Sequence, residues 1–294
     1  MRRFLLAAAF AVAVTAGVSA QAFSVNYVDG IAEVRTAKGW KALSIGDQVT
    51  PDASVRISQS GCLELQKGKV RITLLKDGTY DMASLAKASD KAGAVGVGAA
   101  IAQKLRSLTT EKSKGGTAGG VRGAEQGGGG DVTWVDENDE TRTEAQSLID
   151  QKKFKEAVTL LNQAINDSNV DADKAELTYL VGIAYYGQGQ TARAYRALST
   201  VSPQPDTAWY ARYVILKSQV LVDTGYYKDA LGLLSQFIGA YPTGEAAQVA
   251  YLLTYYCQKG LGDQASARGA LEAGYKLDPS TDTAKLIDQQ RKAP

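Results

Sequence analysis

Histidine is missing from all 294 residues, and that absence sets the first limit on function. Without it there is no imidazole general base, no Ser-His-Asp or Cys-His arrangement and no histidine-ligated metal. Cysteine is nearly missing: Cys62 and Cys257 are the only two, too few for a disulfide framework or a cysteine-ligated zinc site. Each reads as a small, partly buried side chain, with a bridge between them left open. Beyond the N-terminus no apolar run is long enough to span a bilayer. Net charge is scarce as well, +2 from 33 basic and 31 acidic residues. Nucleic-acid affinity rests on phosphate neutralisation, so a near-neutral chain is a poor candidate for it. These shortages exclude the usual routes to catalysis and predict no enzyme activity, no cofactor, no metal and no nucleic-acid partner.

What is present begins with MRRFLLAAAFAVAVTAGVSAQAFSV, two arginines ahead of an apolar run and then small residues ending in Val18-Ser19-Ala20 or Ala20-Gln21-Ala22. This is the pattern of a secretory signal peptide over residues 1–22. No cysteine stands near the cleavage point, so no lipid anchor is expected. The mature chain is expected to be periplasmic or secreted, without a membrane span. Its charge would be neutral, split mildly into 15 basic against 11 acidic residues up to Asp131 and 16 against 20 after it.

From Phe23 to Leu85 short strand-like segments alternate with turn residues. Alternation is clearest at Leu63 and Leu65 and at Val70, Ile72 and Leu74, on either side of Lys67-Gly68-Lys69, which predicts antiparallel strands with one buried face. Asp29-Gly30 and Asp77-Gly78 read as further turns, the second as a hairpin. The stretches YVDGIAEVR, GWKALSIGDQV and ASVRISQSGCLELQKGKVRITLL, with GGVRGAE further on, resemble the FecR-like periplasmic domain, whose closing strand carries V-R-G-T where this chain has Ala124. The resemblance implies a small all-β domain over residues 23–125. A helical crossover would fill about 88–114, where Ile101, Leu105 and Leu108 have helical spacing. Thr117 to Glu125 would return as an edge strand.

The glycine-rich stretch from Gly115 to Asp131 fails as a phosphate loop. Gly115 and Gly120 have Walker A separation, but Val121 and Arg122 follow where Lys and Ser/Thr should stand. Its second part, residues 126–131, reads as a flexible hinge.

After the hinge, over 132–294, the periodicity becomes helical and repeats. Ala157, Ala194, Ala230 and Ala267 each follow a turn position by five residues (Lys152, Gly189, Gly225, Gly262) and precede a leucine by four (Leu161, Leu198, Leu234, Leu271). Pro242 and Pro279 come twelve residues after the last two alanines. With YLVGIAYYGQGQTARAYRAL as the best copy, these offsets resemble the tetratricopeptide repeat. The resemblance implies an all-α solenoid of about four helix pairs, so the expected fold class is multidomain, all-β then all-α. Thr141 to Glu144 reads as a capping box opening the first helix, Pro205-Asp206 as the opening of another, and Thr281 to Arg291 as a polar capping helix.

In that family the inner helix of each pair lines a groove. Carried across, the groove residues are Arg142, Gln146 and Ile149; Glu176, Tyr179, Ile183 and Tyr186; Arg212, Ile215, Gln219 and Val222; and Leu252, Tyr256 and Lys259. Apolar and aromatic anchors mixed with both charges suit a peptide or protein segment. Asp167 to Asp173 is spaced like a calcium loop, but Ala172 and Thr178 replace the required Gly and Glu, so a turn between repeats is the better reading. The sequence therefore predicts a non-catalytic adaptor in the cell envelope that grips a protein or peptide partner and contacts a second envelope component through its β domain. Two alternatives are a FecR-type signalling component and a cell-wall or polysaccharide binder that uses Trp40 and tyrosines for stacking.

Overall fold

The computed structural model describes residues 22–68, 70–92 and 137–292. Most of the signal peptide, the crossover helix at Ala99 to Leu108, the strand at Thr117 to Glu125 and the hinge at 126–131 lie outside the described residues.

Six strands make one antiparallel sheet: β1 (Phe23–Thr36), β2 (Gly39–Ala42), β3 (Gln48–Val49), β4 (Ser54–Lys67), β5 (Val70–Leu74) and β6 (Gly78–Asp81). The order is β2-β1-β4-β5, with β3 also on β1 and β6 also on β4. Two expected turns are corrected. Asp29-Gly30 does not end a strand, because β1 continues through it. The register jumps from Asp29 opposite Cys62 to Ile31 opposite Ser58, and Gln59 and Ser60 take positive φ in the bulge. Asp77-Gly78 is not a hairpin either, since β5 and β6 lie in tandem along β4, on Leu63 to Lys67 and Ser54 to Ile57 respectively.

Phe23, Val25, Val49, Val55, Ile57, Leu63, Leu65, Ile72 and Leu74 bury one face of the sheet. A helix, α1 (Met82–Ala92), closes that face with Met82. It starts where the sequence reading still expected strand. Asp81 is the signal that was missed: its carboxylate accepts from the Ser84 amide at 2.8 Å and the Ser84 hydroxyl at 2.7 Å, an N-cap.

The second half consists of α2 (Glu137–Asp150), α3 (Phe154–Asp167), α4 (Asp171–Gly187), α5 (Thr191–Ser199), α6 (Tyr210–Asp223), α7 (Tyr227–Ala240), α8 (Glu245–Leu261), α9 (Gln264–Leu277) and α10 (Asp282–Lys292). The repeat register is visible in the backbone: Lys152, Gly189, Gly225 and Gly262 all have positive φ, between 60° and 84°. The four alanines are fully buried, as are Leu161, Leu198 and Leu234. A Cβ on Gly182 would lie 2.9 Å from Leu198 Cδ2, which is why α4 and α5 approach so closely. Two helix starts are corrected. The first helix already includes Glu137, so the Thr141 box lies within it and does not open it. The helix after Pro205-Asp206 begins at Tyr210, after a turn in which the Tyr210 amide donates to Thr207 at 3.0 Å.

Lys152 is the one non-glycine among the four turn positions, and the left-handed conformation costs a β-carbon about 1–2 kcal/mol. Lys152→Gly is expected to stabilise the chain by about 0.5–1 kcal/mol once glycine's extra chain entropy is subtracted. Gly225→Ala, with open space around it, should cost about as much. Paired thermal melts check the sign of both.

Helices α2, α4, α6 and α8 pack on one another in sequence, and α8 also meets α10; no comparable packing joins α3, α5, α7 and α9 among themselves. A row of pairs in contact along one layer and apart along the other curves toward the contacting layer. The even-numbered helices therefore form the inner face, and α10 covers its end with Ile287 fully buried.

Candidate functional site

The residues carried to the inner face fall into two groups. Arg142, Gln146, Glu176, Tyr186, Arg212 and Lys259 keep part of their surface. Ile149, Tyr179, Ile183, Ile215, Gln219, Val222, Leu252 and Tyr256 are buried, which corrects the expectation that they stand open in a groove. The cause is geometric. Residues at i, i+3 and i+7 of each inner helix face the next inner helix, so the stripe that would line a groove also makes the packing between repeats. Tyr179 stacks on Trp209 at 5.1 Å and meets Tyr213 edge-on at 6.4 Å, and Tyr256 meets Tyr255 at 4.8 Å. The tyrosines expected to anchor a partner are thus mostly core, Tyr186 excepted.

What stays accessible is polar and concentrated on α2, α4 and α6. Arg142 meets Asp139 at 2.5 Å, Asp173 at 2.6 Å and Glu176 at 3.3 Å. Burial raises the Glu176 carboxyl above its ordinary range, with Arg142 and Arg212 opposing the shift. Farther along, the Tyr186 hydroxyl donates to Asp223 at 2.6 Å and Gln219 Nε2 donates to the same carboxylate at 2.7 Å. Among the described residues the Tyr179 hydroxyl, Ser218 Oγ and Gln219 Oε1 are buried without a hydrogen-bond partner.

Asp223 keeps exposed surface, yet the protein crowded around its carboxyl pushes it up to about 6, against the pull of the two hydrogen bonds. The native state therefore holds a proton that the unfolded chain, near pH 4, has released. Stability from this group is present at low pH and declines as pH rises from about 4 to 6. Asp223→Asn is expected to match the unsubstituted chain in Tm near pH 4 and to exceed it at pH 7. Melting both chains across that range is the check.

A second cluster joins the sheet to the array and was not anticipated. Arg196 of α5 meets Asp29 at 2.5 Å and donates to the Ser60 carbonyl at 3.3 Å, both in the bulge of the β1–β4 pair. Its neighbour Arg193 lies over the Tyr27 ring at 5.1 Å. The Leu75 amide donates to the Tyr226 hydroxyl at 2.9 Å, Lys76 meets Asp229 at 2.6 Å, and Arg71 donates to the Gly189 carbonyl. Cys62 and Leu75 pack into the array's own core. From Cys62 to Leu65 consecutive residues are buried, because the array covers the face opposite the sheet's own core. Burial pushes the Cys62 thiol up to about 11. Glu64, buried there, is held by Arg71 at 3.7 Å. The available signal was small: apolar Cys62 and Leu75 on the face that alternation assigns to solvent.

On the same face, toward the β2 edge of the sheet, Trp40 lies under Arg56 at 4.5 Å and near Arg35 at 6.0 Å, and Arg56 is paired with Glu33. A ring face covered by guanidinium is not open for stacking on a sugar. Among the described residues no helix is long and apolar enough to cross a membrane.

No protein-family profile matches the chain, and no curated protein matches it. Solved structures similar to it include MamA 41-end from Desulfovibrio magneticus RS-1, with 23% identity and a TM-score of 0.44 over 53% of this chain and 82% of that one. A MamA RS-1 double mutant has 22% identity and a TM-score of 0.42, covering 53% of this chain and 86% of that one. MamA AMB-1 has 20% identity and a TM-score of 0.39, covering 52% and 88%.

Proposed function

We propose that this protein is a non-catalytic adaptor of the cell envelope, exported by its signal peptide, in which a tetratricopeptide-type array holds a protein or peptide partner. The sheet, a FecR-like domain in this reading, presents its outer surface to a second envelope component. The observation that carries the proposal is the continuous inner layer from α2 to α8, whose accessible residues mix both charges with a tyrosine. Such a surface suits an extended polypeptide, which offers charges and apolar groups at intervals. The missing histidine argues on the same side, against catalysis. Stacking on polysaccharide through Trp40 is disfavoured by the arginines that cover that ring.

Photo-crosslinking side chains placed at Gln146, Tyr186 and Lys259 on the inner face, and at Ser235 and Gly239 on the outer helix α7, provide the test in an envelope fraction. The inner positions are expected to yield one common protein adduct and the outer positions none. Equal labelling from both faces would exclude the groove. Sedimentation of the chain with insoluble cell wall, without protein adducts, would favour the wall-binding alternative.

A further inference from the structure

Among the tyrosines carried to the inner face, Tyr186 is the one that keeps part of its surface, and its hydroxyl is tied to Asp223 across the junction between α4 and α6. The two carboxylate oxygens have different tasks. Oδ2 accepts from the Tyr186 hydroxyl at 2.6 Å, and Oδ1 accepts from Gln219 Nε2 at 2.7 Å. Gln219 is fully buried, and its Oε1, part of the same amide that already reaches the carboxylate, has no hydrogen-bond partner. A buried acceptor left empty is unfavourable. Protonation of Asp223 supplies the missing donor. A carboxylic acid and a primary amide close a ring of two hydrogen bonds, amide N–H to the acid's carbonyl oxygen and acid O–H to the amide oxygen. With Nε2 on Oδ1, the proton sits on Oδ2, the oxygen that Tyr186 uses.

We propose that Asp223 is a proton-operated catch on Tyr186. Ionised, it holds the tyrosine hydroxyl by a charge-assisted bond; neutral, it turns its Oδ2–H to Gln219 Oε1 and frees that hydroxyl to donate to a backbone carbonyl of the partner. The proposal rests on the partner-binding reading of the inner face and adds its regulation: acid favours the grip. The change is confined to side chains, since the sheet holds α5 and α7 behind this junction. Among the described residues no lysine or arginine acts on this carboxylate. Around it α4 brings Tyr186 and α7 brings Tyr227, with Cys257 of α8 beyond Tyr227, and burial keeps those last two in their neutral forms. Arg193 of α5 is turned to the Tyr27 and Tyr185 rings, Asp229 of α7 to Lys76, and Lys259 of α8 to the Tyr255 hydroxyl. The protein packed around Asp223 holds its carboxyl at about 6, so the catch works in the mildly acid range.

Carbon NMR of the chain, labelled at Asp, Gln and Tyr and followed from about pH 4 to about pH 8, tests the catch without any partner. The Asp223 carboxyl carbon, the Gln219 side-chain carbonyl carbon and Tyr186 Cζ are expected to share one midpoint at about 6. Tyr186→Phe removes a donor that favours the charged form, so the Asp223 midpoint should rise by about one pH unit. Asp223→Asn, whose amide N–H stands in for the acid O–H, should hold the Tyr186 signal at its acid-side position throughout. An Asp223 midpoint near the ordinary value of about 4, a Gln219 carbonyl that does not follow it, or an unmoved midpoint in Tyr186→Phe would each overturn the inference. Grip is read from the cross-linkers at Gln146 and Lys259, which leave the three residues of the catch in place. Adduct yield is expected to be several-fold higher at about pH 5 than at about pH 7.5, and equally high at both in Asp223→Asn. Adducts whose yield does not follow the catch would refute its control of binding. Absence of adducts at either pH would refute the inner-face reading and, with it, the regulation.

Discussion

Gly30→Val is expected to unfold the sheet, with a loss of about 3 kcal/mol or more. Gly30 has a φ of 68°, and a Cβ there would lie 2.7 Å from the Cα of Gly61, which is backbone and cannot step aside. The added side chain meets steric conflict and a left-handed conformation together. It does so at the point where β1 shifts register on β4, the pair that holds the rest of the sheet. Hydrogen exchange resolved by segment is the measurement: amides of β1 and β4 should lose protection while those of α8 keep theirs. Protection retained throughout β1 would show that the bulge tolerates a β-carbon.

The second large effect belongs to the contact between sheet and array. Arg196→Glu places a carboxylate against Asp29 and removes the donor to Ser60. As an exposed pair, Arg196 and Asp29 contribute at most about 1 kcal/mol. Reversal adds like-charge repulsion beside buried Cys62, and the expected cost to the seat is about 1–2 kcal/mol. In calorimetry the substituted chain should melt in two transitions where the unsubstituted chain melts in one. Restoring opposite charges with Asp29→Arg in the same chain should merge them again. A single unshifted transition in Arg196→Glu would mean that Leu75, Tyr226 and the Lys76–Asp229 pair hold the seat without it.

Legibility from the sequence followed the range of the interaction. The repeats were readable because each places a small residue, a turn residue and a leucine at fixed local offsets, and the packing that needs them recurs. Gly189, Gly225 and Gly262 sit where the backbone requires positive φ, and Lys152 was found only by counting from its neighbours. The sheet was readable strand by strand and at the tight turn from β4 to β5, while its two Asp-Gly turns were not. Asp-Gly in a bulge and Asp-Gly in a hairpin look alike, and Gly61, the partner that makes Gly30 necessary, lies thirty-one residues away. The groove stripe failed for a different reason, since one helical spacing serves both an exposed surface and the packing of adjacent repeats. Tyr179 satisfied that spacing equally well as anchor or as core. The seat of the sheet on α5 and α7 left almost no periodic trace, because it is made once, by side chains scattered from Tyr27 to Asp229.

An unsupported stack of repeats behaves as a line of nearest-neighbour contacts and opens from its ends. Here the sheet grips α5 and the start of α7, the middle of that line, and pins it as a bracket pins a leaf spring. Bending is then shared between two short free arms, α2 to α4 on one side and α8 to α10 on the other, each flexing about a common fixed point. A partner lying along the inner face would work these arms independently, and strain applied at one end would stop at the bracket before reaching the other.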